Sequence, residues 1–238
     1  MDVSDKQKQF NAAMELYTSK GRYRILALSV SILNISLQLL MIYLVWPLTI
    51  GPSRLIFSFL LAYVLTDFIN GLVHMYMDNN DRYDSLAGPL IANFHLHHRT
   101  PQYKKHNLLV VYFHETGSKI WLVGYLVLVV LFLAYFDLDP TAAYTLMYIG
   151  ILSSVAEVSH YLCHSSTASA VVLLENCGLL LSKRHHAAHH LQDNSNYAFL
   201  NGVSDPLLNR IASTWYKGYK QNSDLHFAGY ECANDGTR

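Results

Sequence analysis

The sequence predicts an all-α integral membrane protein with four transmembrane helices, an interfacial helix and a histidine-rich site for two metal ions on the cytoplasmic face. Three observations support this fold class. Charged residues make up only 14% of the 238 residues, against roughly 25% in an average soluble domain. Four apolar runs are long enough to cross a bilayer. Twelve of the 13 histidines lie between His74 and His190.

Four apolar segments are the predicted transmembrane helices, and in chain order they are residues 25–46, 55–73, 120–136 and 141–163. The second contains one acid, Asp67, and the fourth contains one acid, Glu157, while the other two are uncharged. A bilayer core of about 30 Å needs about 20 helical residues, so we expect Lys119 to lengthen the third span by reaching toward the headgroups. A soluble all-helical core is the alternative, and two wholly uncharged runs argue against it.

The connections set the topology of these four spans. Residues 47–54 and 137–140 are short turns, so the N-terminus, the 78–119 loop and everything after Cys163 share one side of the membrane. That side carries 16 of the 17 Lys and Arg residues, and Arg54 is the one on the other side. The positive-inside rule then predicts a multi-pass protein with both termini in the cytoplasm.

The remaining segments complete the predicted organisation. Residues 168–182 are apolar but only 15 residues long, with Glu175 and Asn176 in the middle, which predicts an interfacial or re-entrant helix rather than a span. Residues 1–24 and 218–238 are polar and are expected to be tails on either side of a membrane-embedded domain over residues 25–217.

Charge and cysteine content exclude other classes of protein. The 17 basic and 17 acidic residues balance, whereas a general nucleic-acid binder carries a basic excess, so we expect no nucleic-acid partner. Three cysteines, Cys163, Cys177 and Cys232, fit neither a zinc clip nor a redox pair, and an odd count in so long a chain is not a disulfide scaffold.

The histidines recur at spacings that place imidazoles on one helix face. Residues three or four apart lie on the same face of a helix. His160 and His164 have this spacing, and so does His186 with His189 and His190. His185 and His189 form a further pair on an adjoining face. An isolated histidine such as His226 or His114 is more often an ordinary surface residue. Clusters delivered to one membrane face indicate a metal site.

Two acids are predicted to support these ligands. Acids inside membrane helices are costly and face an interior site by default, and a ligating imidazole commonly donates its second N–H to a carboxylate. Glu157 and Asp78 are the candidates for this supporting role, while Asp67 continues the same polar stripe as Asp78. Imidazole suits zinc, copper, iron and nickel, and eight or more histidines suggest two ions. Two irons at the membrane surface would fit oxygen activation against a lipid chain.

The order of the histidine boxes resembles the Kua-type lipid desaturase family, which includes plasmanylethanolamine desaturases and plastid enzymes that desaturate palmitate on phosphatidylglycerol. The resemblance covers about residues 60–212. It is carried by His74-Met-Tyr-Met-Asp78, Phe94 through His97-His98 to Pro101, His106, Glu115-Thr116, His160-x-x-x-His164, Lys183-Arg-His-His-x-x-His-His190, and Tyr197 through Gly202 to Asp205-Pro206-Leu207.

This resemblance implies a membrane non-haem diiron desaturase, with two iron ions as cofactors, that uses O2 and two electrons to introduce a double bond into an acyl or alkyl chain of a membrane lipid. The metal ligands that it implies are His74, His97, His98, His106, His160, His164, His186, His189 and His190. The sequence has no CxxCH haem site, no GxGxxG fingerprint and no cysteine set for an iron–sulfur cluster. We therefore expect a separate electron donor of the ferredoxin or cytochrome b5 type. Arg99, Lys183 and Arg184 lie where lipid headgroups would be and are candidates to hold a phosphate.

Three alternatives stay open. A fatty acid or lipid hydroxylase uses similar histidine boxes and differs in its product. A divalent-metal transporter would line a path at the midplane of the bilayer with its ionisable groups, whereas here they cluster at one face. A membrane protein with a purely structural metal predicts closed, redox-silent sites.

Overall fold

A computed structural model describes residues 3–99, 107–113, 119–191 and 195–215 of the chain, and within these ranges the regular structure is helical. The helices are α1 Val3–Ser19, α2 Gly21–Val45, α3 Pro52–Asp78, α4 Gly88–Arg99, α5 Leu108–Phe113, α6 Ile120–Tyr135, α7 Pro140–Ser165, α8 Ser169–Asn176, α9 Lys183–Leu191 and α10 Asp205–Trp215. The prediction of an all-helical fold is therefore confirmed for this part of the chain.

Three of these helices, α2, α3 and α7, are long and apolar enough to cross a membrane, at 25, 27 and 26 residues. The fourth predicted span corresponds to α6, which is apolar but has only 16 residues. Many large apolar side chains of these helices are exposed, including Leu39, Phe57 and Leu128. An exposed apolar surface of this extent on long helices is what a lipid-facing protein requires.

Helices α3 and α7 run parallel and form the central pair. Both begin with a proline, a residue suited to the first turn of a helix, and the Asp139 carboxylate caps α7 by accepting from the Thr141 N–H. Arg54 at the start of α3 donates to both oxygens of Asp139 at 2.6 Å. These hydrogen bonds lower the pKa of Asp139 to about 2.

Hydrogen bonds between α3 and α7 keep the same register along the pair. Ser58 donates to the Thr141 carbonyl and Asn70 donates to the Ser153 hydroxyl, and both pairs are separated by 83 positions in the sequence. This constant offset means that the helix ends carrying His74 and His160 lie side by side.

Helix α5 packs on α7 and α2, and one lysine joins it to the start of the short α6. The buried Lys119 just before α6 donates through Nζ to the carbonyls of Val111 and Tyr112, at 3.1 and 2.9 Å, and is only 2% exposed. The expectation that Lys119 reaches toward the headgroups is therefore wrong, because two free carbonyls of α5 bind the ammonium instead.

The N-terminal segment contains helix α1, which packs on α4. Phe10, Ala13 and Met14 form a buried cluster with Tyr83 and the α4 residues Ile91 and Ala92.

Farther along the chain, the region expected to hold an interfacial helix has a helix only over Ser169–Asn176, with Val172, Leu173 and Leu174 exposed on it. Turns then lead into α9.

Candidate metal centre

Four helices bring most of the predicted ligands into one cluster. Helix α3 contributes one histidine, α4 and α7 contribute two each, and α9 contributes three. The imidazoles that the structure brings together are His74, His97, His98, His160, His164, His186, His189 and His190. The other predicted ligand, His106, lies outside the described residues.

The first group able to hold a metal ion consists of His74, Asp78, His98 and His189, all buried. The Asp78 carboxylate lies at its centre, with Nε2 of His98 3.0 Å from Oδ1, and Nε2 of His74 and His189 at 3.2 and 3.1 Å from Oδ2. Asp78, predicted to support the ligands from outside, therefore lies itself among the atoms that could bind a metal ion.

The hydrogen bonds of this group fix which ring nitrogens face inward. Nδ1 of His74 donates to the Tyr197 carbonyl and Nδ1 of His189 donates to the Ser195 carbonyl, both at 2.7 Å. A carbonyl only accepts, so each ring carries a proton on Nδ1 and directs Nε2 at Asp78. An unprotonated Nε2 and a carboxylate oxygen are both metal ligands, so this arrangement could hold a metal ion.

The second group consists of His160, His164 and His186, and His190 lies against it. Nε2 of His160 is 2.9 Å from that of His186 and 3.2 Å from that of His164, and Nε2 of His190 is 3.0 Å from that of His186. Ligands at right angles around a metal with bonds of about 2.1 Å lie about 3.0 Å apart. The spacing of these nitrogens therefore matches the ligand shell of one ion.

His97 lies between the two groups. Its ring centroid is 4.2 Å from that of His98, 5.5 Å from that of His160 and 5.4 Å from that of His190. Nδ1 donates to the Phe94 carbonyl, while the buried Nε2 has no hydrogen-bond partner. Burial, with the neighbouring imidazoles, holds the pKa of His97 well below its usual value, so the ring stays neutral and able to bind a metal.

An aromatic side chain covers both groups. Phe199 stacks on His160 with ring centroids 4.1 Å apart and planes within 10°, and its centroid is 4.3 Å from that of His74. Phe199 is 4% exposed. Its contacts with one ring of each group restrict how these rings can turn.

Asp67 holds the loop that carries Phe199. Its Oδ1 accepts from the backbone N–H groups of Leu200, Asn201 and Gly202 at 2.9–3.2 Å, and its Oδ2 accepts from the N–H and the hydroxyl of Ser204 at 2.9 and 2.7 Å. These bonds satisfy a carboxylate that is completely buried. Asp67 therefore acts on the loop, and none of these bonds reaches an imidazole.

Two further histidines near the cluster have other partners. Nε2 of His95 donates to the Met77 carbonyl and Nδ1 accepts from the Tyr83 hydroxyl, so both nitrogens are used. His185 bonds through Nε2 to the Asp205 carboxylate, which raises the pKa of His185. His185 and His189, four residues apart on α9, therefore have separate partners, since His185 binds Asp205 while His189 belongs to the first group.

The other predicted site residues lie around the cluster. Glu157 is buried on α7, one turn before His160, and belongs to neither of the two groups found among the described residues. Lys183 and Arg184 begin α9, with Arg184 exposed, and Arg99 is the last residue of α4.

Sequence reasoning did not assign the residues that orient the rings. The carbonyls of Phe94, Ser195 and Tyr197 accept hydrogen bonds from Nδ1 of His97, His189 and His74, respectively. Every residue has a backbone carbonyl, so the sequence does not show which ones act as acceptors. In the sequence, the stretch from Tyr197 to Leu207 is indicated as part of the site only by its resemblance to the family.

The family model described as a lipid desaturase domain matches residues 63–217, more than half of the chain. The match contains all the histidines of the cluster and the loop that Asp67 holds. No curated protein and no solved structure matches the chain.

Proposed function

The chain belongs to the lipid desaturase domain family, and from this premise we propose that it is a Kua-type, membrane-bound, non-haem diiron desaturase. The reaction uses O2, two electrons and two protons, removes two hydrogens from adjacent carbons of an acyl or alkyl chain of a lipid, and releases two molecules of water. The observation that carries the proposal is the pair of adjacent metal-capable groups, with the unpartnered Nε2 of His97 between them.

The donor set suits iron. It consists of neutral imidazoles and one carboxylate, which are common ligands of non-haem iron. Cys163, the cysteine nearest the site in sequence, donates its thiol to the His160 carbonyl. Bound iron would supply the oxidising chemistry, while the protein supplies ligand orientation and exclusion of water.

The chain's own residues perform that second task. Asp78 places negative charge among the imidazoles of the first group, and Phe199 covers rings of both groups. Burial lowers the pKa of His186 well below its usual value, as it does for His97. These two rings therefore stay neutral at neutral pH, which favours metal binding.

The proposed topology has four spans and both termini in the cytoplasm. Helix α6 crosses the bilayer together with α5, whose exposed Leu109 and Val110 would contact lipid. The electron donor is a separate ferredoxin or cytochrome b5 type protein docking on the cytoplasmic face. Lys183, Arg184 and Arg99 hold the lipid headgroup.

Lipid analysis of cells expressing the chain tests this function. Wild-type protein should yield lipids two mass units lighter than their saturated precursors, and the H160A and H186A variants should abolish them. Lipids sixteen mass units heavier would indicate a hydroxylase instead. Unchanged lipids in cells that also supply both kinds of electron donor would contradict the proposal.

A further inference from the structure

A buried amide in α2 lacks hydrogen-bond partners. The side chain of Asn34 is 5% exposed, and neither its Nδ2 nor its Oδ1 has a partner. Helix α2 is one of the helices able to cross a membrane, where an unsatisfied polar group is especially costly and no bulk water is present to satisfy it. Such a residue points to a ligand.

The next polar residue on the same face of α2 shows the contrast. Gln38, one turn on from Asn34, donates from Nε2 to the Gly150 carbonyl and the Ser154 hydroxyl at 3.1 and 3.0 Å, and its Oε1 accepts from the Tyr112 hydroxyl at 3.0 Å. Gln38 therefore joins α2, α5 and α7 as a structural residue. Asn34 has the same chemistry and burial but no such role.

Asn34 lies nearer the metal centre than Gln38 does. The Tyr144 hydroxyl donates to the Leu48 carbonyl, so the start of α7 lies beside the end of α2 and the two helices run antiparallel. Because Gln38 is level with Ser154, Asn34 is one turn, about 5 Å, nearer the end of α7 that carries His160.

We propose that Asn34 binds a neutral oxygen of the lipid substrate, the ester or ether oxygen that links the chain to its backbone, and so sets which carbons reach the metal centre. A neutral amide matches a neutral ligand, and a span surrounded by lipid admits a lipid oxygen more readily than a charged group. This inference rests on the proposed function. Asn34 precedes residues 63–217, so the family match does not account for it.

The test compares two probes of equal chain length on the purified protein in detergent, without an electron donor so that no turnover occurs. Methyl palmitate carries an ester oxygen, and hexadecane carries none. The wild type should bind the ester about two- to tenfold more tightly than the alkane, the effect of one net hydrogen bond, and N34L should reduce this ratio to about one. Equal binding of both probes by the wild type would overturn the proposal, as would an unchanged preference in N34L.

Thermal unfolding without added lipid separates a binding role from a structural one. N34L removes two unsatisfied polar atoms and should leave Tm unchanged or higher, whereas Q38L breaks three hydrogen bonds and should lower it. A decrease in Tm for N34L comparable to that for Q38L would show that Asn34 is structural and would overturn the proposal. Neither the binding ratio nor Tm depends on turnover. Failure of the proposed function would therefore be recognised separately, by unchanged lipids in cells that express the wild type.

Discussion

Asp78 at the end of α3 lies 3.0 Å from Nε2 of His98 on α4, and both side chains are completely buried. This contact joins a long apolar helix to the short helix that carries two predicted ligands. Burying a carboxylate without a compensating positive charge is strongly unfavourable. The Asp78–His98 pair is therefore a place in the fold where a bound metal ion would offset the charge of a buried carboxylate.

Replacing Asp78 with asparagine should weaken metal binding while keeping the shape of the side chain. The amide cannot balance a cation, and its NH2 group would compete for the inward-facing lone pairs of His74 and His189. We expect at least a 10- to 100-fold loss of metal affinity, measured by competition with a chelator. The exposed Asp84 provides the control, since D84N should retain wild-type affinity. Equal affinity of D78N and the wild type would exclude Asp78 from the centre.

The neighbouring His95 and His97 should respond in opposite ways to the same substitution. His97 directs an unpartnered nitrogen between the two groups, whereas His95 uses both nitrogens within the protein. H97Q should therefore lower the metal content of purified protein, while H95Q should retain the metal and lower Tm, since a hydrogen bond to a buried group is worth about 1 kcal/mol. Loss of metal in H95Q, with a normal content in H97Q, would reverse the assignment of the two rings.

Asp67 should matter for stability more than for metal binding. In D67N the amide places an NH2 group against backbone N–H groups of the loop 200–204, so several hydrogen bonds to a charged acceptor are lost. Each is worth about 1.5–3 kcal/mol, and we expect a decrease of about 3 kcal/mol or more in the free energy of unfolding, measured with denaturant in detergent. A D67N variant as stable as the wild type would contradict the role assigned to this carboxylate.

The sequence predicted three long apolar helices and the clustering of the histidines because both depend on local patterns. Apolar length identifies α2, α3 and α7, and i,i+4 spacing pairs His160 with His164 and His186 with His190. The role of Asp67 was not predictable in the same way, since its partners lie 133–137 positions away. The partners of Lys119 and His185 are likewise set by tertiary packing, so the sequence around these residues does not identify them.

Helix α1 should stabilise the metal centre although it carries no predicted ligand. The buried Phe10 packs edge-on against Tyr83 at 5.2 Å, and Tyr83 donates to His95 on α4, the helix that carries His97 and His98. F10A should destabilise the α1–α4 contact by about 3–5 kcal/mol and speed metal release to a chelator. The control is L16A, because Leu16 on the same helix is 40% exposed. Equal release rates for F10A and L16A would contradict this role.

The metal content of the purified protein, measured together with Mössbauer spectra of a sample grown on iron-57, tests the central claim most directly. Two groups of facing ligands predict about two coupled irons per chain. Because the His97 ring lies between the two groups, H97Q should weaken the Mössbauer signal of coupled irons. A single zinc ion per chain, retained by protein from cells grown in iron-rich medium, would contradict the desaturase account and indicate a structural or transport role.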